Sequence, residues 1–221
     1  SELLRSLCRL VIRQAIAQVQ NRVPDLIDVV SLSLGYYHEL PSDDAYDYQL
    51  LAPLRELGRL GVVVVAAAGN DSTARHWYPA GFAPHPKSKL PAVRNAVPVI
   101  SVGALNPAGE IALFSNAGDW VNCHRQGAAI VSTMPAINGA LQPTAQVDVP
   151  GEGVRSTIDP DSFAGGFAVW SGTSFSAPVV AGQLAQYLLD TKALDVNDRA
   201  KVVTRGWRAV SKVVKLKRPS A

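Results

Sequence analysis

Apolar residues recur every three or four positions at the start of the chain, which predicts an amphipathic helix. This helix opens after Ser1 and closes before Pro24. A mostly apolar run from Ile27 to Leu32 follows, and because it is too short for a helix we interpret it as a buried strand that ends at Gly35. The apolar positions of the helix are Leu3, Leu4, Leu7, Cys8, Val11, Ala15 and Val19.

The same alternation of helical and strand-like patterns continues along the chain. A stripe of leucines between Leu50 and Leu60 predicts a second helix that Gly61 stops. The run Val62–Val65 is short, apolar and β-branched, and predicts a strand that breaks at Gly69-Asn70-Asp71. Further strands are predicted at Val97–Val102 and at Ala129–Ser132, the latter with a short partner at Trp120–Asn122.

The remaining segments are predicted as loops and two more helices. The loops are Tyr36–Tyr48, Asp71–Asn95, and a Gly-, Pro- and Asp-rich insertion over residues 135–168 that is expected to include a hairpin. A helix is predicted over Thr173–Leu189, and Asp195 is expected to cap another that runs to about Val210.

Apolar strands that alternate with helices predict an α/β fold with three α/β/α layers, in which a parallel sheet is covered on both faces. We find no internal repeat. The chain is predicted to hold one domain over residues 1–193, followed by a C-terminal helix and basic tail over residues 194–221.

The net charge of +3 is concentrated at the end of the chain. Seven basic residues follow Arg199, and no acidic residue follows Asp198. Without those seven, 14 basic residues would face 18 acidic ones, a net charge of −4. The tail is therefore either an arm for an acidic partner or the basic surface of a helix with a frayed end. The second interpretation is favoured because Trp207 is the only aromatic residue among these charges, so we expect no nucleic-acid partner.

Composition excludes several classes of protein. No apolar stretch is long enough for a membrane span, and Arg5, Arg9 and Arg13 interrupt the start of the chain where a signal peptide would be apolar. Cys8 and Cys123 form no metal-binding pattern, and we expect free, buried thiols, with a mutual bridge as the alternative. No glycine-rich phosphate motif follows a strand.

Candidate chemistry lies where the predicted strands end. Ser33-Leu34-Gly35 follows the first strand, and Ala67-Ala68-Gly69-Asn70 follows the second. Ser174 opens a helix, so its N–H faces outward at the helix start. Because ligand sites in parallel sheets form beyond the carboxyl ends of the strands, these three segments are expected to converge.

These motifs, in this order, resemble the subtilisin-like serine proteases, the subtilase family. The resemblance covers roughly residues 3–205 and rests most on the run Gly172-Thr173-Ser174-Phe175-Ser176-Ala177-Pro178, which is similar to the family's nucleophile turn. Three further stretches are similar to the family: Tyr78-Pro79-Ala80, Val99–Ala104 and Phe114-Ser115-Asn116. The implied fold is subtilisin-like, without its N-terminal strands.

The resemblance implies a serine endopeptidase that forms an acyl-enzyme on Ser174. It also implies that the Ser174 N–H and the side-chain amide of Asn70 stabilise the oxyanion. Ser33, Leu34 and Gly35 would pair with an extended polypeptide substrate, and Ala67, Ala68 and Gly69 would line a roomy pocket beside it. No cofactor is required for this chemistry.

The resemblance is incomplete, because the family's triad also needs an Asp on an early strand and a His within His-Gly-Thr-His. Neither motif occurs in these 221 residues. Of the four histidines, only His38 is expected near the cleft, and it is a weak candidate for the base. The Asp- and His-bearing segment is therefore expected upstream or as a separate chain. The alternative is a catalytically inactive subtilase-like module for peptide binding or scaffolding.

Calcium is the one metal that the resemblance raises, since members of the family often bind it. Asp43, Asp44 and Asp47 are the candidate ligands. They lack the spacing of a rigid calcium loop, so a solvated acidic loop is the favoured interpretation and a structural calcium ion stays unsupported.

Overall fold

A computed structural model describes residues 2–86, 92, 94–135, 146–156, 165–191 and 195–219. The chain divides into two compact units, residues 1–127 with 172–221, and residues 128–171. The larger unit contains α1 (Glu2–Val19), β1 (Val29–Leu32), α2 (Asp47–Arg59), β2 (Val63–Ala67), β3 (Val99–Leu105), β4 (Cys123–Gln126), α3 (Thr173–Asp190) and α4 (Arg199–Val213). Short 3₁₀ helices occur at Val23–Asp25, Pro41–Tyr46 and Ala80–Phe82.

The larger unit is built on a four-stranded sheet in the order β1-β2-β3-β4, and every neighbouring pair is parallel. In the register, Val64 lies beside Val30 on one side and Val99 on the other. Parallel neighbours need crossover connections, and α2 supplies the one between β1 and β2, while α1 and α2 pack on one face of the sheet and α3 and α4 on the other. The predicted α/β fold is therefore confirmed.

Alternating residues of β2 pack into two separate cores. Val63, Val65 and Ala67 belong to the core shared with α3 and α4. Val64 and Ala66 belong to the core shared with α1 and α2. Because successive side chains of a strand point to opposite faces, β2 is buried on both sides, and the unit has three α/β/α layers.

The C-terminal helix α4 begins three residues later than the sequence predicted. Its N-cap is Asp198, whose carboxylate accepts hydrogen bonds from the N–H groups of Ala200 and Lys201. Asp195 instead forms an ion pair with Lys201 at 3.1 Å. The prediction that Asp195 caps the helix is wrong, because Asp198 satisfies the free N–H groups of the first turn. The predicted domain boundary at 193/194 falls on residues 192–194, outside the described part of the chain.

The fourth strand of the sheet is Cys123–Gln126, not Ala129–Ser132. Residues Ile130–Thr133 form β5, which pairs antiparallel with β8 (Phe167–Trp170) in the smaller unit. The prediction failed because an apolar run is a poor guide at a sheet edge, where partly exposed polar residues such as His124 and Arg125 are tolerated.

The smaller unit also contains the hairpin expected in the insertion, formed by β6 (Gln146–Val149) and β7 (Gly153–Ser156). The rest of the insertion, over residues 136–145 and 157–164, lies outside the described residues. The segment Tyr36–Tyr48 is less of a loop than predicted, because it contains the 3₁₀ helix and the start of α2.

Cys8 and Cys123 are both free thiols, as expected. Cys8 is exposed on α1, so its predicted burial is wrong. Cys123 is partly buried, and burial raises the pKa of its thiol to about 11. Among the helices that the structure describes, none combines the length and the apolar character that crossing a bilayer demands.

Candidate active site

The three segments predicted to converge do meet beyond the carboxyl ends of β1 and β2. The Ser33 hydroxyl, one residue after β1, donates a hydrogen bond to the carbonyl oxygen of Ser174 at 3.1 Å. The Gly69 N–H, two residues after β2, donates to the hydroxyl of Thr173 at 3.0 Å. The start of α3 is therefore tied to both strand ends, although the residues joined lie 141 and 104 positions apart.

The side chain of Asn70 is held in one orientation by Thr173. Its Oδ1 accepts hydrogen bonds from the Thr173 N–H at 2.8 Å and from the Thr173 hydroxyl at 3.0 Å. Because the oxygen is occupied on this side, the Nδ2 amino group faces away from Thr173. Within the described residues, Nδ2 donates no hydrogen bond, so this exposed amide is a free donor beside the start of α3.

Ser174 is the second residue of α3 and is partly buried. Its N–H belongs to the first turn, where helix geometry supplies no intrahelical acceptor, and the helix dipole favours negative charge there. Its hydroxyl makes no hydrogen bond within the described ranges. Ser174 therefore presents a hydroxyl and a free N–H close to a second donor, the amide of Asn70.

Asn116 holds the loop that carries Asn70, and sequence reasoning assigned it no role. It is completely buried, and its Oδ1 accepts from the N–H groups of Asp71 and Thr73 at 3.0 and 3.2 Å. Its Nδ2 donates to the Ala68 carbonyl at 2.8 Å and to the Tyr37 hydroxyl at 2.7 Å. The sequence feature that could have indicated a role for Asn116 is its place in Phe114-Ser115-Asn116, a stretch similar to the family.

Replacing Asn116 with alanine is expected to lower the free energy of unfolding by at least about 2 kcal/mol, because buried loop groups lose their partners. Urea unfolding followed by circular dichroism measures the change. The control is Asn95→Ala, which removes an exposed amide with no hydrogen bond in the described residues. Equal stability of the two variants would contradict a positioning role for Asn116.

Two glycines of the site are required by close contacts. A Cβ on Gly69 would lie 2.4 Å from the Asn116 amide nitrogen, and its φ of +99° is one that other residues rarely adopt. A Cβ on Gly35 would lie 2.2 Å from the indole nitrogen of Trp77. The loops after β1 and β2 therefore pack closely against their neighbours and are held in defined positions.

The residues predicted to bind substrate differ in accessibility. Ser33 and Leu34 are exposed, and neither the N–H nor the carbonyl of Leu34 or Gly35 is hydrogen-bonded within the described residues. Ala67 and Ala68 are buried, and their side chains belong to the two cores. A ligand in this region would therefore meet backbone edges, not the methyl groups of these alanines.

His38, the histidine predicted nearest the cleft, contacts two aspartates outside the site. Its Nδ1 lies 2.9 Å from Asp44 and its Nε2 lies 2.8 Å from Asp47. Its ring stacks on Tyr78 with centroids 4.1 Å apart. With both nitrogens bound to carboxylates, His38 is not positioned to accept the proton of Ser174, so the structure argues against it as the base.

The other three histidines have surroundings of their own. Burial lowers the pKa of His76, and the neighbouring His85 and His38 lower it further. Burial likewise lowers the pKa of His124, whose Nε2 is buried with no hydrogen-bond partner in the described structure. None of the four histidines is hydrogen-bonded to Ser174 within the described residues.

The acidic residues named as candidate calcium ligands have other partners. The Asp43 carboxylate accepts from the N–H groups of Glu39 and Leu40, which lowers the pKa of Asp43. His38, Asp44 and Asp47 can bring one ligand atom each within 4.8 Å of one another. This set of one imidazole and two carboxylates does not suit calcium, which takes six to eight oxygen ligands.

The chain is similar in sequence to known proteins. The family model described as the subtilase family matches residues 6–207. The chain is 31% identical to the thermophilic serine proteinase of Bacillus sp. (strain AK1) over 72% of its own length and 27% of the relative's. It is 29% identical to fervidolysin of Fervidobacterium pennivorans over 70% of its own length and 18% of the relative's.

Among solved structures, a cold adapted subtilisin-like serine proteinase matches 80% of this chain and 45% of its own. The TM-score is 0.46 and the sequence identity is 21%. The chain therefore spans less than half the length of each of these proteins.

Proposed function

Because this chain belongs to the subtilase family, we propose that it carries the nucleophile and the oxyanion donors of a subtilisin-type serine endopeptidase. Ser174 is the nucleophile in this proposal. The Ser174 N–H and the Asn70 side-chain amide stabilise the oxyanion. The activity of the whole protein depends on further residues outside this set.

The observation that carries the proposal is the orientation of Asn70. Thr173 donates two hydrogen bonds to the Asn70 Oδ1, at 2.8 and 3.0 Å. The amino group of Asn70 is therefore left as a donor for a ligand. A donor fixed in this way needs no reorganisation when negative charge develops in front of it, and such preorganisation is a large source of rate acceleration. Thr173 also fixes Gly69, so the donor and the start of α3 are held as one piece.

The proposed reaction is acyl transfer. The Ser174 Oγ attacks the carbonyl carbon of a peptide bond, and the carbonyl oxygen becomes the oxyanion held by the two donors. The hydroxyl proton passes to a general base and then to the leaving amine as the C–N bond breaks. Water then gives a proton to the base and attacks the ester carbonyl, the bond to Ser174 Oγ breaks, and Oγ takes the proton back as the acid product leaves.

The proposal assigns the general base and its orienting carboxylate to a segment outside these 221 residues, either upstream or on another chain. Two observations support this assignment: both ring nitrogens of His38 lie close to carboxylates, and the relatives are much longer than this chain. The edge strand β1 pairs only with β2 among the described strands, and Ile12, Ile16 and Val19 of α1 are exposed. An added segment would cover such surface.

The proposed substrate is an extended polypeptide that pairs with the backbone of Ser33, Leu34 and Gly35. The free N–H and carbonyl groups of Leu34 and Gly35 support this assignment, since added strands bind through such groups. The side chains of Ala67 and Ala68 are buried. In this proposal, substrate in the adjoining pocket therefore contacts backbone atoms of these residues.

Labelling with a fluorophosphonate probe tests the proposal, because the probe reacts only with activated serine hydroxyls. We expect no labelling of this chain alone and strong labelling of Ser174 in the full-length protein. The Ser174→Ala variant of the full-length protein is expected to lose the signal, while the nearby Ser176→Ala variant keeps it. Absence of labelling in the folded full-length protein would sink the proposal and favour an inactive module.

A further inference from the structure

A cavity of about 480 Å³ lies at the opposite edge of the sheet from Ser174. Its residues come from the end of α2, the segment before β3, the start of α4 and the C-terminal segment, so they approach the amino ends of β2 and β3. We call it the arginine cavity after its polar lining, which is Arg59, Arg94, Asn95, Arg199 and Arg218.

The positive charge in this cavity is poorly neutralised. Glu56 is the carboxylate that reaches it, at 3.2 Å from Arg59 and 3.9 Å from Arg199. Within the described residues, Arg94 and Arg218 form no ion pair. Among the described residues, four arginines therefore line this concave surface with one carboxylate in reach, and the surrounding protein strengthens their field on a bound anion.

Arg218 is held in place before any ligand arrives. Its Nε and one Nη donate to the carbonyl oxygen of Arg94 at 3.1 and 2.7 Å, and the other Nη donates to the Thr204 hydroxyl at 3.0 Å. Burial and the nearby Arg94 charge lower the pKa of Arg218. Two cations that have no ion-pair partner among the described residues therefore lie near one another, an arrangement that an anion would stabilise.

We propose that the arginine cavity binds a small anion that carries a diphosphate group. Arginine is the side chain best suited to phosphate, because its planar group donates two parallel hydrogen bonds. Two phosphate groups carry about three negative charges at neutral pH, which matches four guanidinium groups less one carboxylate. No aromatic side chain among the described residues lines this cavity for base stacking, which disfavours a nucleic acid.

This inference does not depend on the proposed peptidase activity. Arg59 precedes β2 and Arg94 precedes β3, whereas Asn70 and Ser174 lie beyond the carboxyl ends of the strands. A diphosphate in the cavity therefore leaves the Ser174 site open. Binding of the ligand is expected to be the same in the Ser174→Ala variant.

Isothermal titration with inorganic pyrophosphate at fixed ionic strength tests the proposal on the 221-residue chain. The double variant Arg94→Ala/Arg199→Ala removes two exposed guanidinium groups and keeps the Arg94 carbonyl that holds Arg218. The control, Arg5→Ala/Arg9→Ala, removes the same charge from the exposed surface of α1. A thermal melt of each variant without ligand verifies that it is folded.

We expect the cavity double variant to bind pyrophosphate at least about tenfold more weakly, and the α1 control to stay within about twofold of the parent chain. The pair Arg94→Lys/Arg199→Lys keeps the charge but not the paired donors, and is expected to lose part of the affinity. Equal weakening of cavity and control variants, or no detectable binding to the folded chain, would overturn the proposal. So would displacement of pyrophosphate by a duplex DNA whose binding needs the same arginines, because an extended phosphate backbone would then be the ligand.

Discussion

Replacing Asn70 with alanine is expected to slow acylation of Ser174 by about 10²–10³, the magnitude already established for a side-chain donor of this kind in a member of this same family. The physical reason is loss of the amide that faces the developing oxyanion. The expectation rests on the proposed function, so the full-length protein is used. The rate of fluorophosphonate labelling, with Ser174→Ala as the blank, measures the effect.

The hydrogen bonds of Asn70 provide a matched control. Asn70→Asp keeps an oxygen that can accept from the Thr173 N–H and hydroxyl, but it removes the donor. We expect it to be as slow as Asn70→Ala if the donor matters. Thr173→Val removes a tether and keeps the donor, so a smaller loss is expected. A fast Asn70→Asp variant would instead assign Asn70 a purely structural role.

Replacing Trp207 with alanine is expected to lower the free energy of unfolding by about 3–5 kcal/mol. Trp207 lies in α4, is 1% exposed, and packs into the core shared by β2, β3 and α3. Its indole N–H also donates to the Ala96 carbonyl at 2.8 Å. The variant leaves a cavity and an unpaired carbonyl in the same place, so both costs apply.

Urea unfolding of the 221-residue chain measures this effect. Trp207→Phe retains a ring without the N–H donor and is expected to lose less stability than alanine. Arg208→Ala changes the adjacent exposed residue and is expected to stay within about 0.5 kcal/mol of the parent chain. A loss below about 1 kcal/mol for Trp207→Ala would mean that α4 contributes little to the stability of the larger unit.

The sequence predicted the sheet best where its strands are buried. The run around Val62–Val65 lies in the centre of the sheet, where both faces are covered, so every residue must be apolar and the pattern is unambiguous. At the edge, β4 carries His124 and Arg125, and no apolar pattern marks it. An edge strand is stabilised by backbone hydrogen bonds to a single neighbouring strand, and amino-acid composition does not reveal such bonds.

Helix ends were predicted less well than helix cores. The apolar stripe of α4 identified the helix, but Asp195 and Asp198 are chemically equivalent candidates for its cap. The choice depends on which carboxylate reaches the free N–H groups, a property of backbone conformation. Likewise, the acidic loop around Asp44 and Asp47 contained no signal that both would bind His38.

By itself the sequence determined the family, the layered α/β architecture and the residues from which the candidate site is built. Those features follow from local composition and from short motifs whose residues are contiguous in the sequence. Only the tertiary structure decided that Thr173 turns the amide of Asn70 outward, that Asn116 anchors its loop, and that four arginines from distant segments share a cavity. These depend on contacts between residues far apart in the chain, and such contacts are set by packing and hydrogen bonding in three dimensions.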